Sequence, residues 1–243
     1  MFKKILWLLY QPYKWLIFTP LLFANTLVFG IIAVLVSWLI DQRTGSYYGG
    51  VIWSRFNAFL TPMFVTVTGK DNIKSGQSYI VIPNHQSYYD IFLIYGWLGL
   101  DIKWVMKKEL RKIPGLGFGS AKVGHIFLDR RNPLSAKKTL NEARERLTHG
   151  SSVVIFPEGT RSKGNTMLPF KRGAFKLAID LGLPILPVTV KGTNKILPTG
   201  TVNLMPGSVS LRIHPPISLD GYTENNMKHL MDQVREAIDS GLK

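Results

Sequence analysis

The segment Asn84-His85-Gln86-Ser87-Tyr88-Tyr89-Asp90 sets an imidazole and a carboxylate five positions apart. If a helix begins between Ser87 and Asp90, the carboxylate folds back toward the ring. A carboxylate on Nδ1 fixes the tautomer that leaves Nε2 as acceptor, and it stabilises the imidazolium formed when that nitrogen takes a proton. General base catalysis of this kind contributes roughly 10² to 10⁴ in rate. The bland alternative is that Asp90 only caps or charges the start of the following helix. Ser87 is a conceivable nucleophile, but no G-x-S-x-G elbow exposes it, and it reads as a turn or positioning residue. Two more polar clusters stand further along, Asp129-Arg130-Arg131 and Pro157-Glu158-Gly159-Thr160-Arg161-Ser162.

These clusters need a frame that brings them together. Short β-branched runs recur at 64–68, 79–83, 102–106, 125–128, 153–156, 185–190 and 208–213. Between several of them, residues 89–98, 133–148, 170–181 and 223–240 carry apolar side chains at helical spacing. The alternation implies an α/β fold with a central mixed, largely parallel sheet of about seven strands flanked by helices. In such sheets ligands bind at the carboxyl ends of strands, where loops and helix N-termini converge. All three polar clusters directly follow a predicted strand.

The N-terminus has a different character. Residues 15–40 carry no charged side chain, a run long enough to cross a bilayer core at 1.5 Å per residue. Thr19 and Pro20 read as a cap and first helical position, which predicts a break between an amphipathic stretch, 2–18, and an apolar helix, 20–40. We expect an N-terminal hydrophobic helical hairpin whose two parts enter and leave one leaflet, with aromatic anchors such as Trp15, Trp38, Tyr47 and Tyr48 at the interface. A simple span, a signal peptide and a buried core helix are the alternatives. The signal peptide lacks a short apolar core and a small-residue cleavage site. The domain division that follows is a membrane-associating helical segment, 1–50, and one α/β domain, 51–243.

Thirty Lys and Arg against fifteen Asp and Glu give a net charge of +15, a field that attracts anionic lipid, nucleic acid or an acidic protein. Next to a hydrophobic N-terminus, that charge favours a membrane surface. With no cysteine, the chain has no disulfide, thiolate metal site or cysteine nucleophile. Lys3, Lys4 and Lys14 precede the apolar run, which places the N-terminus on the cytoplasmic side.

With Phe156-Pro157-Glu158-Gly159-Thr160-Arg161-Ser162 added to the His85 segment, the sequence resembles the glycerolipid acyltransferase family, specifically its bacterial 1-acylglycerol-3-phosphate acyltransferases. Two weaker blocks also match, Gly124-His125-Ile126-Phe127-Leu128-Asp129-Arg130 and Leu183-Pro184-Ile185-Leu186-Pro187-Val188. The family often has Ile at the Leu128 position.

The resemblance implies an enzyme of phospholipid biosynthesis at the cytoplasmic (inner) membrane, its catalytic domain on the cytosolic face. His85 would be the general base and Asp90 its orienting partner. The sn-2 hydroxyl of lysophosphatidic acid would attack an acyl thioester directly and give phosphatidic acid. The donor would be acyl carrier protein or coenzyme A, and no cofactor or metal is implied. Acyl carrier protein is strongly acidic, which suits the basic balance of the chain.

Family members hold the acceptor phosphate with basic residues, and the matching positions here are Lys107, Arg130 and Arg161. The guanidinium fork suits phosphate. Thr160 belongs to the same motif. Glu158 would position the glycerol or hold Arg161, and Gly159 would let the backbone approach the ligand. Each has a plainer reading: Lys107 in a solvated face, Arg130 in an ion pair with Glu109 or Glu142, Gly159 in a turn. His125, His149, His214 and His229 read as structural or surface residues. The Pro114-Gly115-Leu116-Gly117-Phe118-Gly119 segment reads as a flexible wall of an acyl-chain groove.

Two rival functions remain. One keeps the mechanism but uses glycerol-3-phosphate or another lysolipid as acceptor. The other is a basic, membrane-associated nucleic-acid binder, against which stands the lack of any helix-turn-helix, RRM or zinc pattern.

Overall fold

The computed structural model describes residues 2–129, 150–163 and 166–243. Arg130, Glu142, His149 and the helix predicted at 133–148 lie outside the described residues. Helices and strands are numbered below along the described chain.

Helix α1 (Phe2–Pro12), a π-helical stretch (Tyr13–Phe18) and α2 (Thr19–Leu39) follow one another with no break at Thr19 and Pro20. This corrects the predicted division of the N-terminus. The two prolines, each lacking an N–H, flank the widened stretch, and Thr19 N–H and hydroxyl both donate back to Lys14 O. A proline after a π turn is indistinguishable in sequence from one at a helix start. The chain reverses instead at Ile40 and Asp41, whose carboxylate accepts from Arg43 N and Thr44 N at 2.7 and 2.9 Å and so caps α3 (Gln42–Ser46). A second π stretch (Tyr47–Val51) leads into α4 (Ile52–Leu60).

The hairpin therefore has residues 2–39 as one arm and 42–60 as the other, and residue 50 falls within the second arm. Its arms run antiparallel. Asn25 and Asn57 exchange two side-chain hydrogen bonds of 3.0 Å, Trp53 Nε1 donates to Thr26 Oγ1 at 3.1 Å, and Gly49 and Gly45 lie against Ala33 and Ser37.

The body is a seven-stranded sheet in the order β1-β7-β6-β2-β5-β3-β4. Its strands are β1 (Met63–Thr68), β2 (Ile80–Pro83), β3 (Ile102–Lys107), β4 (Ile126–Leu128), β5 (Ser152–Val154), β6 (Ile185–Lys191) and β7 (Gly207–Ile213). All neighbours pair in parallel except β6 and β7. The mixed, largely parallel sheet agrees with the sequence reading.

The two-residue period of a strand sorts side chains into two cores. Tyr79 and Val81 join Leu186, Val188, Phe92 of α5 (Tyr89–Trp97) and the hairpin residues Phe18 and Ala58. Ile80 and Ile82 face the other way, onto Phe175 of α7 (Gly173–Leu181) and Leu230, Val234 and Ile238 of α9 (Met227–Leu242). Both faces of β2 are covered, which is why it reads as an unbroken apolar run.

Candidate active site

The motif at residues 84–90 leaves the carboxyl end of β2 and the motif at residues 157–162 follows β5, its immediate parallel neighbour. Adjacent strands thus bring together residues that are far apart in sequence. Asn84 fixes the start of the turn by taking Val190 N at 2.7 Å and giving to Val190 O at 2.9 Å, so the turn is anchored on β6 as well. Ser87 Oγ accepts from Tyr89 N at 3.2 Å, at the entrance to α5, and donates to Leu197 O at 2.7 Å. With no exposed surface, Ser87 is a turn residue and not a nucleophile.

Asp90, in the first turn of α5, is fully buried, and its Oδ2 lies 2.7 Å from His85 Nδ1. The same oxygen accepts from Gln86 N at 2.7 Å and Ser87 N at 2.9 Å, while Oδ1 accepts from Thr193 Oγ1 at 2.5 Å. A carboxylate held by this many donors is fixed in position. The His85 ring stacks on Phe156 at 3.7 Å and 14° and keeps 14 % of its side-chain surface exposed. With Nδ1 committed to Asp90, Nε2 is the nitrogen left to exchange a proton with a ligand.

Glu158 joins the two motifs. It is 2 % exposed, and its two oxygens accept from His85 N and Leu168 N, each at 2.7 Å. Through these bonds it clamps the motif at residues 157–162 to the backbone of the His85 motif. Burial pushes its carboxyl up from the ordinary value, against the lowering by those two bonds. Ser162 completes the clamp, with N–H and hydroxyl both donating to His85 O. Arg161 lies over the Tyr88 ring, its guanidinium carbon 3.5 Å from the centroid. Gly159 has φ of +72°, and a Cβ there would stand 2.8 Å from Lys171 Nζ, so the space above this glycine is filled by a lysine.

Thr160 is exposed on the same loop. Lys107 ends β3, half exposed and 3.3 Å from Glu109.

Tyr88 also faces an apolar groove of about 590 Å³ between the hairpin and the body, walled by Phe18, Leu22, Phe23, Phe92, Pro114 and Leu204 among others. Pro114 and Leu116 line it, but the neighbouring glycines do not form a flexible wall. They belong to α6 (Leu116–Lys122) and its approach, and a Cβ on Gly119 would lie 2.9 Å from Gly30 Cα of α2. A Cβ on Gly117 would lie 2.1 Å from Arg111 O. These glycines allow backbones to pack closely.

Residues 64–191 match the acyltransferase family model, just over half of the chain. The chain belongs to the acyltransferase family. It is 37 % identical over 179 residues to a chloroplastic 1-acyl-sn-glycerol-3-phosphate acyltransferase of Brassica napus, covering 72 % of this chain and 51 % of that one. With the enzyme of that name from Haemophilus influenzae it shares 40 % identity over 162 residues, 66 % of each chain. The chain thus spans about half to two thirds of the length of these relatives. Its fold matches the crystal structure of the 1-acyl-sn-glycerophosphate acyltransferase PlsC from Thermotoga maritima. That match has a TM-score of 0.81 and 32 % identity, over 98 % of this chain and 95 % of that one.

Within this acyltransferase frame, the structure unites His85, Asp90, Glu158, Gly159 and Arg161, and it leaves Lys107 at a neighbouring strand end. Sequence reasoning missed Thr193, Tyr88 as the platform for Arg161, and Lys171. Thr193 carries a legible signal, since it follows β6, the other neighbour of β2. Lys171 carries none.

Proposed function

We propose that the chain transfers a fatty acyl group from a thioester, acyl carrier protein or coenzyme A, to the sn-2 hydroxyl of 1-acylglycerol-3-phosphate. The product is phosphatidic acid, for phospholipid biosynthesis. His85 Nε2 takes the hydroxyl proton as the alcohol oxygen attacks the thioester carbonyl. The imidazolium, steadied by Asp90, then gives that proton to the departing thiolate, so no acyl-enzyme forms and no metal or cofactor is required. Arg161, with Arg130, Lys107, Thr160 and the backbone at Gly159, binds the phosphate end of the acceptor.

The observation that carries this reading is the buried Asp90 carboxylate 2.7 Å from His85 Nδ1, with the ring still open to solvent. The names of the relatives support the acceptor. Tyr88 adds to it by touching both the Arg161 cation and the apolar groove, which suits an amphiphile with a phosphate at one end and an acyl chain at the other.

Membrane phospholipid is the third partner of this reading. The helix Leu6–Leu39 is long and apolar enough to cross a bilayer, and only 17 % of its most apolar window is buried within the protein. Leu16, Phe23 and Trp38 are each more than 70 % exposed. Yet α6 covers the middle of α2 through Gly30, so a span would draw the catalytic body into the bilayer. The hairpin is proposed to enter one leaflet of the cytoplasmic membrane from the cytosolic side.

The test is to give the purified protein labelled oleoyl thioester with lysophosphatidic acid, glycerol-3-phosphate or water as competing acceptors. Lysophosphatidic acid should take nearly all the label. Preference for glycerol-3-phosphate, or release of free fatty acid alone, would overturn the assignment.

A further inference from the structure

The loop at 197–204, between the short helix α8 (Thr193–Ile196) and β7, touches both the His85 turn and the N-terminal helix. On one side Ser87 Oγ donates to Leu197 O at 2.7 Å and Thr199 Oγ1 donates to Gln86 O at 2.8 Å. Gln86 and Ser87 are the residues whose N–H groups hold Asp90 Oδ2. On the other side Lys14 Nζ donates to Val202 O at 2.9 Å. The loop is cross-tied by Thr201 N to Pro198 O, Leu204 N to Val202 O and Met205 N to Ile196 O. Leu204 is buried. A shift at Val202 is therefore carried toward Leu197 and Thr199 rather than absorbed.

Lys14 is the only charged side chain between Lys4 and Asp41. It is 4 % exposed and sits in the π-helical stretch, a distortion often found at functional sites. Its ammonium lies 4.3 Å from the Trp15 ring. Burying an ammonium is costly unless it is hydrogen-bonded, and here the Val202 carbonyl accepts from it. A helix that served only as an apolar surface would carry leucine or methionine here.

We infer that Lys14 is a positioning residue for the transfer reaction. Its bond to Val202 seats the 197–204 loop, the loop holds Gln86 and Ser87, and their amides fix Asp90 and the His85 ring. The seat of the N-terminal helix is thereby tied to the geometry of the base. This rests on the function proposed above, since it requires His85 to act in turnover.

The test uses the full chain in phosphatidylethanolamine and phosphatidylglycerol vesicles, comparing wild type with Lys14→Met, Lys14→Arg, Thr199→Val and the Lys14→Met/Thr199→Val double variant. Lys14→Met and Thr199→Val should each lower kcat about tenfold, as a small misplacement of a reacting group does. Both KM values should stay within about twofold, and the acidic limb of the kcat profile should move. Lys14→Arg should restore most of the loss. The double variant should be no worse than the poorer single one, because both changes release the same loop.

Losses that multiply to about a hundredfold would overturn the proposal. So would an effect confined to KM, which would make Lys14 a substrate contact, an unchanged kcat, or an arginine variant as impaired as the methionine one. Thr199 lies outside the hairpin, so its variant reports on the loop even if Lys14→Met fails to fold. If wild type does not acylate lysophosphatidic acid, the function reading fails first. If it does and the variants act independently, only the positioning role fails.

Discussion

Among the described residues, His85 and His125 both have polar partners and modest exposure, yet their surroundings differ. His85 sits at the mouth of the sheet with a buried carboxylate on Nδ1 and an open edge. His125 lies in the seam between the body and the hairpin, 9 % exposed, its Nε2 3.2 Å from Tyr95 OH, which in turn meets Ser46 Oγ at 2.7 Å. Among the described residues no carboxylate bonds to this ring, and burial, aided by Lys103, pushes its pKa down to about 3. Hydrogen bonding alone therefore does not tell the two rings apart. What separates the two is a buried carboxylate on one ring nitrogen and room at the other.

The largest effect that can break this comparison is Asp90→Asn, which keeps the shape but removes the charge. We expect a fall of about 10³ to 10⁴ in kcat with acceptor binding little changed, read by steady-state kinetics. A change of less than about tenfold would mean that the carboxylate does no more than hold the turn at Gln86 and Ser87.

Next in size is Arg161→Ala, which should raise the acceptor KM about ten- to a hundredfold and leave kcat nearly intact. Arg161→Lys should recover only part of that, since an ammonium lacks the guanidinium fork. Glu158→Gln would turn an amide toward one of two backbone N–H groups. It should cost about 1–3 kcal/mol, seen as a melting temperature lower by several degrees.

His125 supplies the control for His85. His125→Gln should leave kcat within about threefold, because this ring touches no reacting atom. Its own signature is in stability. Below pH 6.5 the unfolded chain protonates this residue while the folded state stays neutral until about pH 3. Folding stability should therefore fall as pH drops from 6.5 toward 5, by up to about 1.4 kcal/mol per pH unit for this group. Denaturant titrations across that window should show a shallower slope in the variant. The smallest effect is expected of Lys107→Ala, no more than about twofold on acceptor KM, since the exposed pair with Glu109 is weak.

Much of this was legible in the sequence because it is local or periodic. The seven strands show as β-branched runs, and the His85 and Asp90 pair lies within one turn. The hairpin was misdivided because Thr19 and Pro20 mimic a helix start, while Asp41, the true cap at the reversal, lies past the apolar run. Gly115, Gly117 and Gly119 read as flexibility, but their purpose is contact with Gly30 and Arg111, and such contacts have no local signal. Glu158 lay in a recognisable motif, yet its partners His85 N and Leu168 N are set by the neighbouring strands β2 and β5. Residue type marks where chemistry is possible. Strand order decides which groups a side chain meets.

The proposed transfer requires His85 as the proton acceptor. The most direct test is single-turnover transfer of labelled oleoyl from its thioester to lysophosphatidic acid by wild type and His85→Ala, with acceptor binding measured separately on the same vesicles. The variant should bind the acceptor normally and lose about 10² to 10⁴ in the transfer rate at neutral pH. Transfer by the variant at close to the wild-type rate would contradict the account.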